Sequence, residues 1–150
     1  MTLLTDVLLA EVLLVEDNEA DVALMEIAFA QSNQVRLNVT NDGMEALAFL
    51  HRAPGFNAAP RPKLVLLDLN LPRKGGLEVL AEMRADSTLC TLPVLILSTS
   101  QANSDVRRAY ELGANAYLPK PRDLPQLFEL VRQIEQFWLK SVLFPLEGDV

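Results

Sequence analysis

Four short stretches carry side chains able to do chemistry together: the carboxylates Glu16 and Asp17 in VEDN, the carboxylate Asp68 in LVLLDLNLP, the hydroxyls of Ser98 to Ser100 in LSTS, and the ammonium of Lys120 in LPKP. Each stretch begins apolar and turns polar at its end. Asp68 poses the question most sharply, because an apolar run leads straight into it and apolar residues resume at once. A carboxylate in the middle of a sheet buried on both faces is costly. The cost falls if the strand stops near Asp68, which then sits on the carboxyl edge of the sheet, where open α/β folds place their ligands. Three ionised carboxylates gathered there repel one another, so the site requires a cation or an upward pKa shift. Oxygen ligands without cysteine or histidine suit a hard ion such as Mg²⁺, which takes one or two carboxylates, keeps several waters and accepts a phosphoryl oxygen.

The elements that would bring these residues to one edge follow from the hydrophobic pattern. The run Val12 to Val15 reads as a strand, and helical spacing begins at Asn18 or Glu19 with Val22, Met25, Ile27 and Phe29, until QSNQ breaks it. VRLNVT alternates as a short strand, NDG turns the chain, and MEALAFLHR reads as a second helix. APGFNAAPRP, with three prolines and a glycine, marks a surface loop. KLVLLDLN is the third strand, GGLEVLAEMRAD the third helix with Leu77, Leu80 and Met83 on one face, and LPVLILSTS the fourth strand. ANSDVRRAYELGAN predicts a helix capped by Asn103 or Ser104 and stopped at Gly113. AYLPKP is a brief fifth strand, and DLPQLFELVRQIEQFWLKSVLF a long final helix from near Pro125. Alternation of this kind predicts a doubly wound, five-stranded parallel sheet with helices on both faces. Every strand's carboxyl end, and with it Glu16, Asp17, Asp68, Ser98 and Lys120, then meets at one edge.

Composition narrows the function. A chain of 150 residues, half of them hydrophobic and 22% charged, is the size and make-up of one compact domain. The single Cys90 forms no internal bridge, no Cys/His cluster suggests zinc, and a reducing, cytoplasmic compartment is expected. A net charge of -7 without a basic run lacks the footprint of nucleic-acid binding. The apolar opening is interrupted by Asp6 and Glu11 and has no basic start or small-residue cleavage site, so neither a signal peptide nor a membrane helix is expected. His51 reads as a surface residue near a helix end and Cys90 as an inert one.

VEDN, LLDLNLP, LSTS and LPKP, in this order and each at the end of an expected strand, resemble the receiver domain of two-component response regulators, a flavodoxin-like (CheY-like) fold, over nearly the whole chain. The resemblance implies Asp68 as phosphoacceptor, Asp17 as a direct Mg²⁺ ligand with Glu16 assisting through water, and the Asn70 backbone carbonyl as a further ligand. It implies that Ser98 and Lys120 contact the phosphoryl group and that Ser98 and Tyr117 form the switch reporting phosphorylation. A Lys120–Pro121 bond in the cis form, frequent in the family, is also implied. More narrowly, APGFNAAPRP, DLNLPRK, LSTS and IEQFWLKSVLFP resemble single-domain response regulators paired with cyanobacterial phytochrome histidine kinases. The chain would then catalyse its own phosphorylation and slow dephosphorylation without being an enzyme for a separate substrate.

Other readings are weaker. Taken alone, Glu16 and Asp17 fit a solvated strand-to-helix turn, and Ser98 fits a mere strand end. An aspartate-nucleophile phosphohydrolase would carry a second Asp where Asn70 stands, and VEDNEAD would repel the phosphate of a flavin carrier. A receiver-like adaptor that is not phosphorylated would lack part of the acidic, aspartate and lysine set. Gly75 stands where many receivers have Asp, and Ser98 where Thr is common. The tail from about residue 123 to 150 carries more large apolar residues than one helix face needs, and adjacent Phe137 and Trp138 point about 100° apart. With Phe144, they are the expected anchors of a homodimer.

Overall fold

The computed structural model describes residues 9–145. The readings of the first eight residues and of the last five, the end of the expected dimerisation tail, lie outside the described residues. The chain runs β1 (Ala10–Val15), α1 (Glu19–Phe29), β2 (Val35–Thr40), α2 (Gly43–Leu50), β3 (Leu64–Leu67), α3 (Gly76–Ala85), β4 (Val94–Ser98), α4 (Asn103–Glu111), β5 (Ala116–Pro119) and α5 (Leu124–Ile134). All pairings are parallel, in the order β2-β1-β3-β4-β5. Both the alternation and the five-stranded doubly wound sheet are as the sequence predicts.

The central strands β3 and β4 are buried along their whole length, which explains their unbroken apolar runs. Successive residues serve opposite faces. Leu13, Val15, Val65, Leu67, Val94 and Ile96 pack with α2, α3 and α4 through Phe49, Leu80, Met83 and Ala109. Their neighbours Val12, Leu14, Leu64, Leu66, Leu95 and Leu97 pack with α1 and α5 through Met25, Phe29, Leu127 and Val131. This sandwiching fixes α1 and α5 on one face, and so sets which side of each helix looks toward the sheet edge. Of the apolar residues expected to bury on α1, Met25 and Phe29 do, whereas Ile27 is 48% exposed because Ala28 takes the inward position.

Two helix ends differ from expectation. The N-cap of α4 is Ala102, not Asn103 or Ser104. Ser100 takes over the polar role upstream, accepting from the Ala102 amide at 3.3 Å and donating to Asp105 at 2.5 Å. The long final helix is also not uniform. Its α-helical part ends at Ile134, and Glu135–Ser141 continue as a wider π-helical segment, closed by the Val142 amide on the Phe137 carbonyl. The wider turn lets Trp138 and Leu139 both pack against the α1/α5 core, while Phe137 stays 58% exposed with its ring edge-on to Trp138. Phe144 lies past the helix, half-buried, 6.0 Å from the Lys63 ammonium. Among the described residues no helix is long and apolar enough to cross a membrane.

Candidate functional site

The strand register delivers the predicted residues to one edge. Val15 pairs with Leu67, and the Asp68 amide donates to the Val15 carbonyl at 3.1 Å, so Glu16 and Asp17 leave the sheet beside Asp68. Across the next pair, Ser98 lies opposite Pro119, and the Lys120 amide donates to the Ser98 carbonyl at 2.9 Å. The turn into α3 is equally tight: a Cβ added at Gly76 would stand 2.2 Å from the Asp68 carbonyl oxygen, so only glycine fits. α1 begins at once after the first strand loop, with Asn18 as N-cap accepting from the Asp21 amide at 2.9 Å.

Carboxylate oxygens of Glu16, Asp17 and Asp68 lie within 4.8 Å of one another. Glu16 and Asp68 are buried and Asp17 is exposed, so the cluster has a solvent-facing side. Lys120 faces the group with its ammonium 2.7 Å from Glu16, 3.1 Å from Asp21 and 3.7 Å from Asp68. Burial and the Glu16 charge push the Asp68 carboxyl up to about 6, against the pull of Lys120 and of the Leu69 and Asn70 amides. Burial works against the Lys120 ammonium, but Glu16, Asp68 and Asp21 outweigh it and hold its pKa above the ordinary lysine value. One ammonium among four carboxylates leaves negative charge to spare. All-oxygen donors, a partly open side and that uncompensated charge fit a hard divalent cation.

Ser98 is fully buried, and its hydroxyl accepts from the Ser100 amide at 3.1 Å. Tyr117 is half-buried, its hydroxyl donating to the Ser100 carbonyl at 2.8 Å. Ser98 and Tyr117 are therefore joined through Ser100, the last of the LSTS hydroxyls. Asn70 is exposed on the β3–α3 loop. The expected cis Lys120–Pro121 bond is not found: the described residues contain no cis peptide. Lys120 is held instead by its ion pairs to Glu16 and Asp21. His51 lies apart, 3.6 Å from Asp86, and Cys90 is exposed.

Asp21 is the site residue that sequence reasoning missed. Its signal was available: it lies one helical turn before Met25, whose burial turns that face of α1 toward the sheet.

A family model described as the response regulator receiver domain matches residues 12–132. The chain belongs to the response regulator receiver family. Response regulator Rcp1 of Synechocystis sp. is 45% identical over 135 residues, spanning 89% of this chain and 92% of that protein. The crystal structure of the phosphorylated cyanobacterial phytochrome response regulator RcpA matches with a TM-score of 0.87 at 45% identity, covering 92% of this receiver and 99% of that chain. The Mn²⁺-bound form of Rcp1 matches with a TM-score of 0.84 at 44% identity, covering 91% and 99%. This receiver is thus similar to phytochrome response regulators in sequence and in fold, and its acidic cluster is of the kind that binds a divalent cation.

Proposed function

We propose that this receiver takes a phosphoryl group from a phytochrome histidine kinase onto Asp68, with Mg²⁺, and signals in the cytoplasm through a change of surface. The observation that carries the proposal is the meeting of buried Asp68 with the carboxylates of Glu16 and Asp17 and with the Lys120 ammonium 3.7 Å away. Asp68 is ionised at neutral pH, since its carboxyl is raised only to about 6. An ionised oxygen of Asp68 attacks the phosphorus, a P–O bond forms, and the P–N bond of the donor phosphohistidine breaks; the imidazole leaves with the electron pair, neutral because its other ring nitrogen has taken a proton from water. Lys120 sits where it meets the charge on the transferring oxygens, and Ser98 supplies a hydroxyl donor on the other flank. A cation held by Asp17 and Asp68, with Glu16 through water and the Asn70 carbonyl, would screen the phosphoryl charge from the acidic cluster. The same groups serve the second step, in which water attacks the phosphorus, the bond from the Asp68 oxygen to phosphorus breaks and inorganic phosphate leaves with the carboxylate restored, so the chain catalyses both steps on itself. Leu24, Met25, Pro121 and Leu127 line the cavity beside Glu16, Asp68 and Lys120, giving the approaching donor an apolar wall.

The added charge draws the Ser98 hydroxyl inward. That withdraws it from the Ser100 amide and frees the loop on which the Tyr117 hydroxyl rests, turning a local event into a surface change. Incubation with autophosphorylated phytochrome kinase is expected to move the label from kinase histidine to this chain, at a rate differing between dark and light preparations of the kinase. Label that stays on every phytochrome kinase, while a small phosphodonor still modifies Asp68, contradicts the pairing and leaves the receiver chemistry standing.

The tail supports a homodimer. Phe137 is 58% exposed beside half-buried Trp138, and Phe144 is half-buried on the same tail. Burying an aromatic side chain contributes roughly 1.5–3 kcal/mol, and a symmetric interface counts each residue twice. Phe137→Ala or Trp138→Ala is therefore expected to shift the protein toward monomer in sedimentation while leaving Asp68 modification by a small donor intact. A wild type that sediments as a monomer at high micromolar concentration, phosphorylated or not, overturns the dimer.

A further inference from the structure

The turn between β2 and α2 is tied to both loops that furnish the acidic site. On one side the Asn41 side-chain amide donates to the Glu16 carbonyl at 3.3 Å. On the other, the Arg73 guanidinium grips Asp42 with two bonds, Nε to Oδ2 at 3.0 Å and Nη2 to Oδ1 at 3.2 Å. Asp42 is itself fixed, because it caps α2 and accepts from the Glu45 amide at 2.7 Å, while Glu45 accepts from the Asn41 amide at 2.8 Å. The residue after Arg73 is pressed onto the same turn: a Cβ added at Gly43 would stand 2.1 Å from the Lys74 carbonyl oxygen. Arg73 holds a left-handed backbone, φ 66°, a conformation that a non-glycine residue keeps only where its surroundings fix it. A bidentate ion pair to a carboxylate already locked by a helix cap is such a fixture.

Between Asp68 and Arg73 runs the short loop that carries Asn70. Its other end is closed by the Gly76 amide on the Leu69 carbonyl at 3.0 Å. We propose that Arg73 and Asp42 are a positioning pair for the divalent cation: by clamping this loop to the β2–α2 turn, which also holds the Glu16 backbone, they fix the Asn70 carbonyl relative to the carboxylates Glu16, Asp17 and Asp68. The inference rests on the metal site proposed above and assigns residues outside it. Asp42 is not among the clustered carboxylates and Arg73 is itself a cation, so each would act through the backbone it holds.

Charge and positioning make opposite predictions for Arg73. By Coulomb's law alone, removing a cationic side chain near a cation site tightens metal binding, and removing an anionic one weakens it. A positioning pair requires both removals to weaken binding. Mg²⁺ titration calorimetry at pH 7.5 on the wild type, Asp42→Asn, Arg73→Gln and the double variant separates the two. Asn at position 42 keeps the helix cap, so α2 remains formed, and thermal unfolding in chelator monitors the fold. Each single variant is expected to lower Mg²⁺ affinity about tenfold, the lower end of the effect of outer-shell partners. The double variant should be no weaker than either single, because the pair acts as one unit. Tighter or unchanged binding by Arg73→Gln, or losses that add in the double variant, overturns the inference while the metal site stands. A wild type that binds no Mg²⁺ overturns the metal site and the inference with it.

Discussion

Lys120→Met is expected to destabilise the metal-free protein by about 3 kcal/mol at neutral pH, the low end of the cost of leaving a buried charge without its partner. The Lys120 ammonium lies 2.7 Å from Glu16 and 3.7 Å from Asp68, both buried, and is the cation these carboxylates face. Methionine fills much of the same space, so the loss comes from charge. For a chain of this size the melting temperature should fall by roughly 6–12 °C. The deficit has a pH signature. Without Lys120 the Asp68 carboxyl rises above about 6, and a carboxyl with a raised folded-state pKa contributes stability that is present at acid pH and lost as pH rises through that value. Melts in chelator should therefore show a large deficit at pH 7.5 that shrinks toward pH 4.5. An equal deficit at both pH values would mean that the lysine stem matters only by packing.

Asp68→Asn should act with the opposite sign. In the folded protein the Asp68 carboxyl is raised from the ordinary 3.8 to about 6, so between these values the folded state binds the proton more tightly than the unfolded chain. The metal-free wild type therefore loses stability as pH rises through this window, by about 3 kcal/mol for a shift of this size. Asparagine removes the titration, and the raised value of about 6 is already net of the attraction to Lys120. A gain of up to about 3 kcal/mol at pH 7.5 is expected, with a flatter pH profile between pH 4 and 6.5. Added Mg²⁺ should reverse the order, because only the wild type keeps the full ligand set. An Asp68→Asn protein that melts below the wild type in chelator at pH 7.5 contradicts the electrostatic account.

How far the sequence foretells this depends on the range of the interaction. β3 reads correctly because its apolar run and the carboxylate after it are local, and the strand does stop at Leu67 with Asp68 at the edge. Glu16, Asp17, Ser98 and Lys120 follow, because parallel strands bring all their carboxyl ends to one side. Asp21 is legible only at one remove, through the apolar positions Met25 and Phe29 that set the rotation of α1. Arg73 and Asp42 are 31 residues apart, and nothing in either segment announces the other. The α4 cap fails for a different reason: Asn103 and Ser104 are good caps in isolation, but Ser100 has already used its hydroxyl to order the turn. In the final helix the apolar spacing continues past Ile134, while the backbone widens to seat Trp138 and Leu139 together.

Every role proposed for Glu16, Asp17, Ser98 and Lys120 depends on Mg²⁺-assisted phosphorylation at Asp68. The most direct measurement is mass-spectrometric mapping after treatment with a small phosphodonor and Mg²⁺, on the wild type and on Asp68→Asn, each with and without chelator. The account predicts a single base-labile phosphoryl adduct on Asp68, lost in chelator and absent from Asp68→Asn. Labelling of Asp68→Asn at the wild-type level, or an adduct on another residue of the wild type, would contradict it.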